Sequence, residues 1–259
     1  MKAAPLPDRG VVKVTGLDAR KLLNGLVTAD VTRVTPTRPR FAALLTPQGK
    51  IIADFIIIEA NPPDGGAFFL DCPRALAQSL VARLNLYKLR AKVLVEDLSE
   101  TLGVLAIWNG TGKTDHGQCY PDPRLPGLGA RCILPRHLAE GAAASLGAEL
   151  VDALAYEAHR IALGVPRGGD DFTYGDAFPH ESDMDQLGGI DFDKGCFVGQ
   201  EVVSRIEHRA TARTRVVPVG FDGPPPEPGV AVMAGEKKVG MMGSGGFVGP
   251  PGDGVVEIG

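Results

Sequence analysis

The chain has 259 residues, 31 acidic and 27 basic, for a net charge of −4, and is 44% hydrophobic and 22% charged. Such a length admits one large domain or two to three small ones around a core of ordinary size. The charge argues against a protein that binds nucleic acid over its whole surface, though a local basic patch is compatible with it.

Val11 to Thr15 alternates apolar and polar and reads as a strand, and after Gly16 the run 17–26 reads as a short helix. Phe41 to Thr46 reads as a strand, 47–50 as a turn, and Ile51 to Ala60 as a long β-branched strand interrupted by Asp54. An outward-facing carboxylate is expected at Asp54. A strand at 67–71 leads to Pro73, where a helix can start. Over 74–88 the spacing of Leu76, Leu80, Leu84 and Tyr87 is helical. Residues 91–95 and 102–108 read as strands, and 109–129 as a surface loop. Its GTGKT stretch lacks the first glycine of a phosphate loop, because Ile107 stands there.

A helix can form over 135–146. The next, over 152–163, carries Leu154, Ala158, Ile161 and Ala162 as its apolar stripe and stops at Gly164 and Pro166. An ordered Gly/Asp/Pro-rich loop follows over 167–181. From Arg213 onward, short strands at 213–221, 229–234, 237–243 and 254–258 alternate with Gly/Pro turns, a pattern that suggests a small barrel. The whole reads as α+β rather than a regular βαβ repeat.

The four cysteines, Cys72, Cys119, Cys132 and Cys196, show no C-x-x-C spacing, and no histidine pair completes a zinc pattern. No residue set is therefore assigned to a metal, and reduced thiols are expected. The opening MKAAPLPDRG has no apolar core of a secretory signal. No apolar run reaches the roughly 18 residues needed to span a bilayer. A cytoplasmic protein without a membrane partner is the expectation.

The densest chemistry lies in the octet Lys194-Gly195-Cys196-Phe197-Val198-Gly199-Gln200-Glu201. A thiolate is the reactive form of cysteine, and a lysine two residues away can favour it. Cys196, with Lys194 beside it, is either an activated thiol, the two then being the candidate catalytic residues, or a buried cysteine in a glycine turn. Glu201 and Arg205 are four apart, a favourable helical pair. Arg205, His208, Arg209, Arg213 and Arg215 form a basic cluster that could hold an anionic tail or RNA phosphate.

The octet resembles the K-G-C-[FY]-x-G-Q-E signature of the YgfZ family and fills each of its fixed positions. The segments GLDARKLLNGLVTADV, GVPRGG, AFPHES and GGIDFDKGCFVGQEVVSR extend the resemblance over most of the chain, nearest the branch that includes mitochondrial iron–sulfur assembly factors. The resemblance implies the fold of the glycine-cleavage T-protein, with a folate-binding body at 1–212 and a small β-barrel at 213–259. It implies support of iron–sulfur enzyme assembly or repair, tetrahydrofolate as candidate cofactor, and iron–sulfur client or assembly proteins as partners. Tyr156, Arg160, Gln200, Glu201 and Arg205 become the candidate folate-facing residues, with Tyr156 stacking on a pterin. Folate-binding relatives carry an aromatic residue where Arg9 falls and an acid where Ala162 sits. Two alternatives stand beside this reading. One is a folate-dependent aminomethyltransferase, disfavoured because LDCPRALAQSL has no acid after Asp71. The other is a non-catalytic partner-binding protein in which Cys196 is only structural.

Overall fold

The computed structural model describes residues 1–61, 66–209, 212, 214–221, 223–248 and 255–258. Two five-stranded sheets form its centre. The strands are β1 (Lys2–Leu6), β2 (Arg9–Thr15), β3 (Arg40–Leu45), β4 (Ile51–Glu59), β5 (Phe68–Pro73), β6 (Leu94–Asp97), β7 (Leu102–Trp108), β8 (Gln118–Pro121), β9 (Ala130–Pro135) and β10 (Glu149–Leu150). One sheet has the order β10-β1-β7-β9-β8 and the other β3-β4-β5-β2-β6. The helices are α1 (Ala19–Leu26), α2 (Arg74–Lys88), α3 (Ala139–Leu146), α4 (Ala153–Ala162) and α5 (Gln200–Arg209).

Alternation along the strands divides the apolar side chains among three layers. Leu6, Ala106, Trp108 and Ile133 of the first sheet meet Val11, Phe41, Leu45, Ile56 and Ile58 of the second, so the main core lies between the sheets. The outer face of the second sheet, with Val12, Val14, Phe55, Ile57 and Leu70, packs on Leu23 of α1 and Leu80 and Leu84 of α2. Leu105, Ile107, Cys132 and Leu134 cover α3 through Ala142, Ala143 and Leu146.

Beyond α5 come β11 (Val219–Phe221), β12 (Ala231–Ala234), β13 (Lys237–Met241), β14 (Gly245–Val248) and β15 (Val255–Ile258). They form a three-stranded sheet, β11-β15-β14, and the hairpin β12-β13. No helix among the described residues is long and apolar enough to cross a membrane.

Most elements fall where periodicity puts them, and the exceptions have causes. β1 is hidden in the sequence by Pro5. It is tolerated because β10 pairs only Lys2 and Ala3, leaving the partner-facing edge at Pro5 without a ladder bond. The surface loop expected over 109–129 contains β8, which pairs with β9. Asp54 does not face outward: it is buried and accepts a hydrogen bond from the Tyr174 hydroxyl. Leu154, expected on the buried stripe of α4, is exposed, and the helix instead buries Tyr156, Arg160 and Ile161.

Candidate functional site

A pocket opens where α4 and the loop after it meet the inter-sheet core, with about 500 Å3 of empty space including its open mouth. Tyr156, Tyr174, Arg9, Arg124, Arg131 and Arg167 are among its lining residues. Its floor is a buried polar network built from four strands, β2, β5, β8 and β9. The Asp71 carboxylate on β5 accepts from Arg9 Nε at 2.6 Å, Arg131 Nη1 at 2.8 Å and the Tyr120 hydroxyl at 3.1 Å. Arg131 also donates through Nε to Asp122 at 2.8 Å and through Nη2 to the Tyr156 hydroxyl at 3.2 Å. Arg124 completes the set on Asp122 at 2.7 Å.

Burial alone would push the Asp71 and Asp122 carboxyls up. The attached guanidiniums outweigh it and hold both below the usual range. Of this network only Arg9 and Tyr156 carry a sequence expectation, whereas Asp71, Asp122 and Arg131 look like ordinary charges in or beside strands. The one sequence signal is that Asp71 shares a strand face with Phe69, and Arg131 with Ile133, both side chains of the inter-sheet core.

Tyr156 is buried, its ring edge-on to Trp108 at 5.5 Å, and Trp108 in turn stacks on His159 at 5.6 Å. Arg160 lines the same pocket, but its guanidinium is already committed. It donates to Glu157, to Asp171 at 3.0 Å, to the Val165 carbonyl and to Ser244 Oγ. Arg160 is therefore a strut of the pocket wall, and with Tyr156 it is one of the two expected folate-facing residues that line the pocket.

The octet lies elsewhere, and none of residues 194–205 is among those lining the pocket. Cys196 is exposed, whereas Cys72 and Cys132 are buried and Cys119 is half-buried. Its loop is pinned on both sides. Phe197 enters the inter-sheet core and Val198 packs against the core under α1 and α2. Gly199 has φ +82°, and a Cβ there would meet the Thr46 carbonyl oxygen at 2.6 Å and Gly49 Cα at 3.0 Å. Only glycine permits that approach to the β3–β4 turn.

Lys194 does not serve the thiol as expected. Its Nζ donates to the carbonyls of Asn24, Val27 and Ala29 at 2.7, 2.6 and 2.8 Å, which uses all three ammonium protons. Burial pushes its pKa down to about 8 against the pull of Asp30 and Asp191. Lys194 therefore fastens the loop to the end of α1.

Gln200 opens α5, its N–H donating to the Phe197 carbonyl at 3.2 Å. Glu201 and Arg205 pair at 2.8 Å on the exposed face of α5, away from Tyr156 and Arg160. The expected folate-facing set is thus divided between two places, and Gln200, Glu201 and Arg205 do not belong to the pocket. Two described members of the basic cluster are already paired. Arg215 is bound to Asp183 and Asp185 at 3.0 and 2.7 Å, and Arg205 to Glu201. Arg213 and the side chain of Arg209 lie outside the described residues.

Comparison with known proteins follows the same lines. Residues 213–247 match the model of the CAF17 C-terminal beta-barrel domain. The chain is similar over its full extent to the crystal structure of glycine cleavage system aminomethyltransferase T from Bartonella henselae. The TM-score is 0.74 with 19% identity, covering 99% of this chain and 77% of that one. The fold is therefore the T-protein-like α+β fold with a C-terminal β-barrel domain, as the octet's resemblance implied.

Among curated proteins, the chain is 38% identical to the mitochondrial iron–sulfur cluster assembly factor IBA57 homolog of Mycosarcoma maydis, covering 87% of this chain and 59% of that protein. The homolog of the same name in Chaetomium globosum is 34% identical, over 90% and 60%. That of Dictyostelium discoideum is 30% identical, over 83% and 61%. The chain spans about three fifths of the length of these relatives. Their names place them in the mitochondrion, which overturns the cytoplasmic expectation. The composition of a folded body carries no address, because targeting is read from segments apart from it. The chain is a homologue of the IBA57 iron–sulfur cluster assembly factors and, with them, a relative of the YgfZ proteins.

Proposed function

We propose that this chain supports the assembly or repair of iron–sulfur clusters on client enzymes through the thiol of Cys196. The observation that carries the reading is the contrast at that loop. The sulfur is exposed while the residues around it are fixed by Lys194, Phe197 and Gly199. A thiolate in reach of a partner is a cluster ligand, and one cysteine cannot complete a four-thiolate set. The cluster is cargo, and its remaining ligands come from a client or assembly protein. The names of the homologues support the same reading. The test is reconstitution of an apo client enzyme with a cluster donor. Cys196→Ser should abolish the stimulation by this protein while leaving its melting temperature unchanged. Full stimulation by the variant overturns the role of the thiol.

Tetrahydrofolate is the cofactor this reading proposes for the pocket. The lining chemistry fits a flat heteroaromatic with an anionic tail: the rings of Tyr156 and Tyr174, the acceptors Asp54 and Glu157, and the cations Arg124 and Arg167. Bound there, folate would supply a one-carbon carrier, and these residues would hold and orient it. Tetrahydrofolate should raise the melting temperature by linkage, and Arg167→Ala at the half-exposed rim should reduce the rise. No shift at saturating folate removes the cofactor. The aminomethyltransferase alternative ranks below, because Arg9, Arg131 and Tyr120 already occupy both oxygens of Asp71. The division at 212/213 belongs to this proposal, supported by the barrel match over 213–247.

A further inference from the structure

Cys119 and Cys132 are far from the octet in sequence, and nothing in the cluster-assembly reading uses them. They are direct register partners on the neighbouring antiparallel strands β8 and β9. Opposed residues in such a pair project to the same face of the sheet, which is here the face under α3. Their place in the ladder sharpens the geometry. The Asp122 N–H donates to the Gly129 carbonyl at 2.9 Å, which marks 122 and 129 as a hydrogen-bonded pair. Hydrogen-bonded and non-hydrogen-bonded pairs alternate along an antiparallel ladder, so Tyr120 and Arg131 are bonded and Cys119 and Cys132 are not. In a non-hydrogen-bonded pair the Cα atoms stand about 4.5 Å apart and the side chains are closest, inside the range a disulfide can bridge.

The two thiols also differ in surroundings. β8 is the edge strand of its sheet, and Cys119 is half-buried on it, while Cys132 is fully buried on β9. The two sulfurs interact across the strand pair. That interaction lowers the pKa of Cys119 and raises that of Cys132 well above the ordinary thiol range, so the reachable thiol is the one that ionises first.

We propose that Cys119 and Cys132 form a redox-active dithiol that closes to a cross-strand disulfide with a low-molecular-weight disulfide such as oxidised glutathione. The Cys119 thiolate attacks one glutathione sulfur, forming a mixed disulfide and releasing one glutathione thiolate, which takes up a proton. The Cys132 thiol then loses its proton and attacks the Cys119 sulfur, releasing the second glutathione as a thiol. Two protein thiols are oxidised and one glutathione disulfide is reduced to two thiols, so atoms and electrons balance. The new bond would staple edge strand β8 to β9 beside Tyr120 and Arg131, two of the groups that hold Asp71.

The test uses the full chain carrying Cys196→Ser, which removes the exposed thiol as a source of intermolecular bridges. It is equilibrated in glutathione buffers from fully reduced to fully oxidised, quenched in acid, alkylated after denaturation and digested with trypsin. Cleavage after Arg124 and Arg131 places the two cysteines on separate peptides. The expected result is a linked pair of peptides, lighter by two hydrogens than the two thiol peptides, growing with the oxidised fraction while Cys72 remains alkylated. Adding Cys119→Ser should remove the linked species and leave Cys132 alkylated, without a glutathione adduct. Alkylation of both cysteines at full oxidation overturns the proposal. So does a stable glutathione adduct on Cys119 with Cys132 still free.

Discussion

The pocket floor and the Cys196 loop use polar chemistry in opposite ways. At the floor, Asp71, Asp122, Arg9 and Arg131 are enclosed between two sheets, and each charge is answered by another. At the loop, the Cys196 thiol, the group proposed to work, is left in solvent, and the answered group is its neighbour Lys194. In the first region the charges hold the protein together. In the second, structure is spent on positioning a group that takes no part in stability. Density of titratable residues therefore does not by itself separate a working site from a structural one; accessibility and unfilled valence do.

Substitutions that break the first region should have the largest effects. Asp71→Ala strands two buried guanidiniums and should lower unfolding free energy by about 3–5 kcal/mol, read by urea denaturation at pH 7. A loss below about 1 kcal/mol would mean that water answers those charges. The sign with pH follows from the depressed carboxyl. Its contribution is complete above the unfolded pKa of about 3.9 and fades as pH falls below it, so the gap between wild type and Asp71→Ala should narrow toward pH 2–3. Lys194→Met comes next. It leaves three carbonyls without their donor, two of those bonds being fully buried, and should cost about 2–4 kcal/mol. If Lys194 served only the thiol, its removal would leave stability intact.

Cys196→Ser should change stability by less than about 0.5 kcal/mol. In native wild type, a thiol reagent should modify Cys196 first, while Cys72, whose thiol burial pushes up to about 12, should react only on unfolding. Equal labelling rates would erase the contrast between the regions. The smallest effect belongs to Glu201→Ala, within about 0.5 kcal/mol, because its partner Arg205 is itself exposed.

Much of the scaffold was legible because it is local. Helix α2 over 74–88 and strand β7 over 102–108 lie where periodicity puts them, and the octet is readable as a signature. What escaped is contact between distant segments. The carbonyls that hold Lys194 lie 165 to 170 residues earlier in the chain, so no pattern around position 194 reveals them. The Asp71 network joins β2, β5, β8 and β9, and its members carry no shared spacing. Strand β8 was concealed within a Gly- and Asp-rich stretch, where turn composition outweighed four residues of ladder. Tyr156 and Cys196 were both named from sequence, but only the fold reveals that they occupy different sites.

The clasp between Arg160 and Ser244 ties the C-terminal strands to the pocket wall. Ser244 gives both its N–H and its hydroxyl to Asp171, the same carboxylate that receives Arg160. Gly246, just beyond, lies so close to α4 that an added Cβ would sit 3.2 Å from Ile161. The terminal strands consequently behave as a cork rather than an appendage. Cutting them away would uncover α4 and unseat the very arginine that borders the cleft, so lesions near residue 244 should register as damage to the cleft itself.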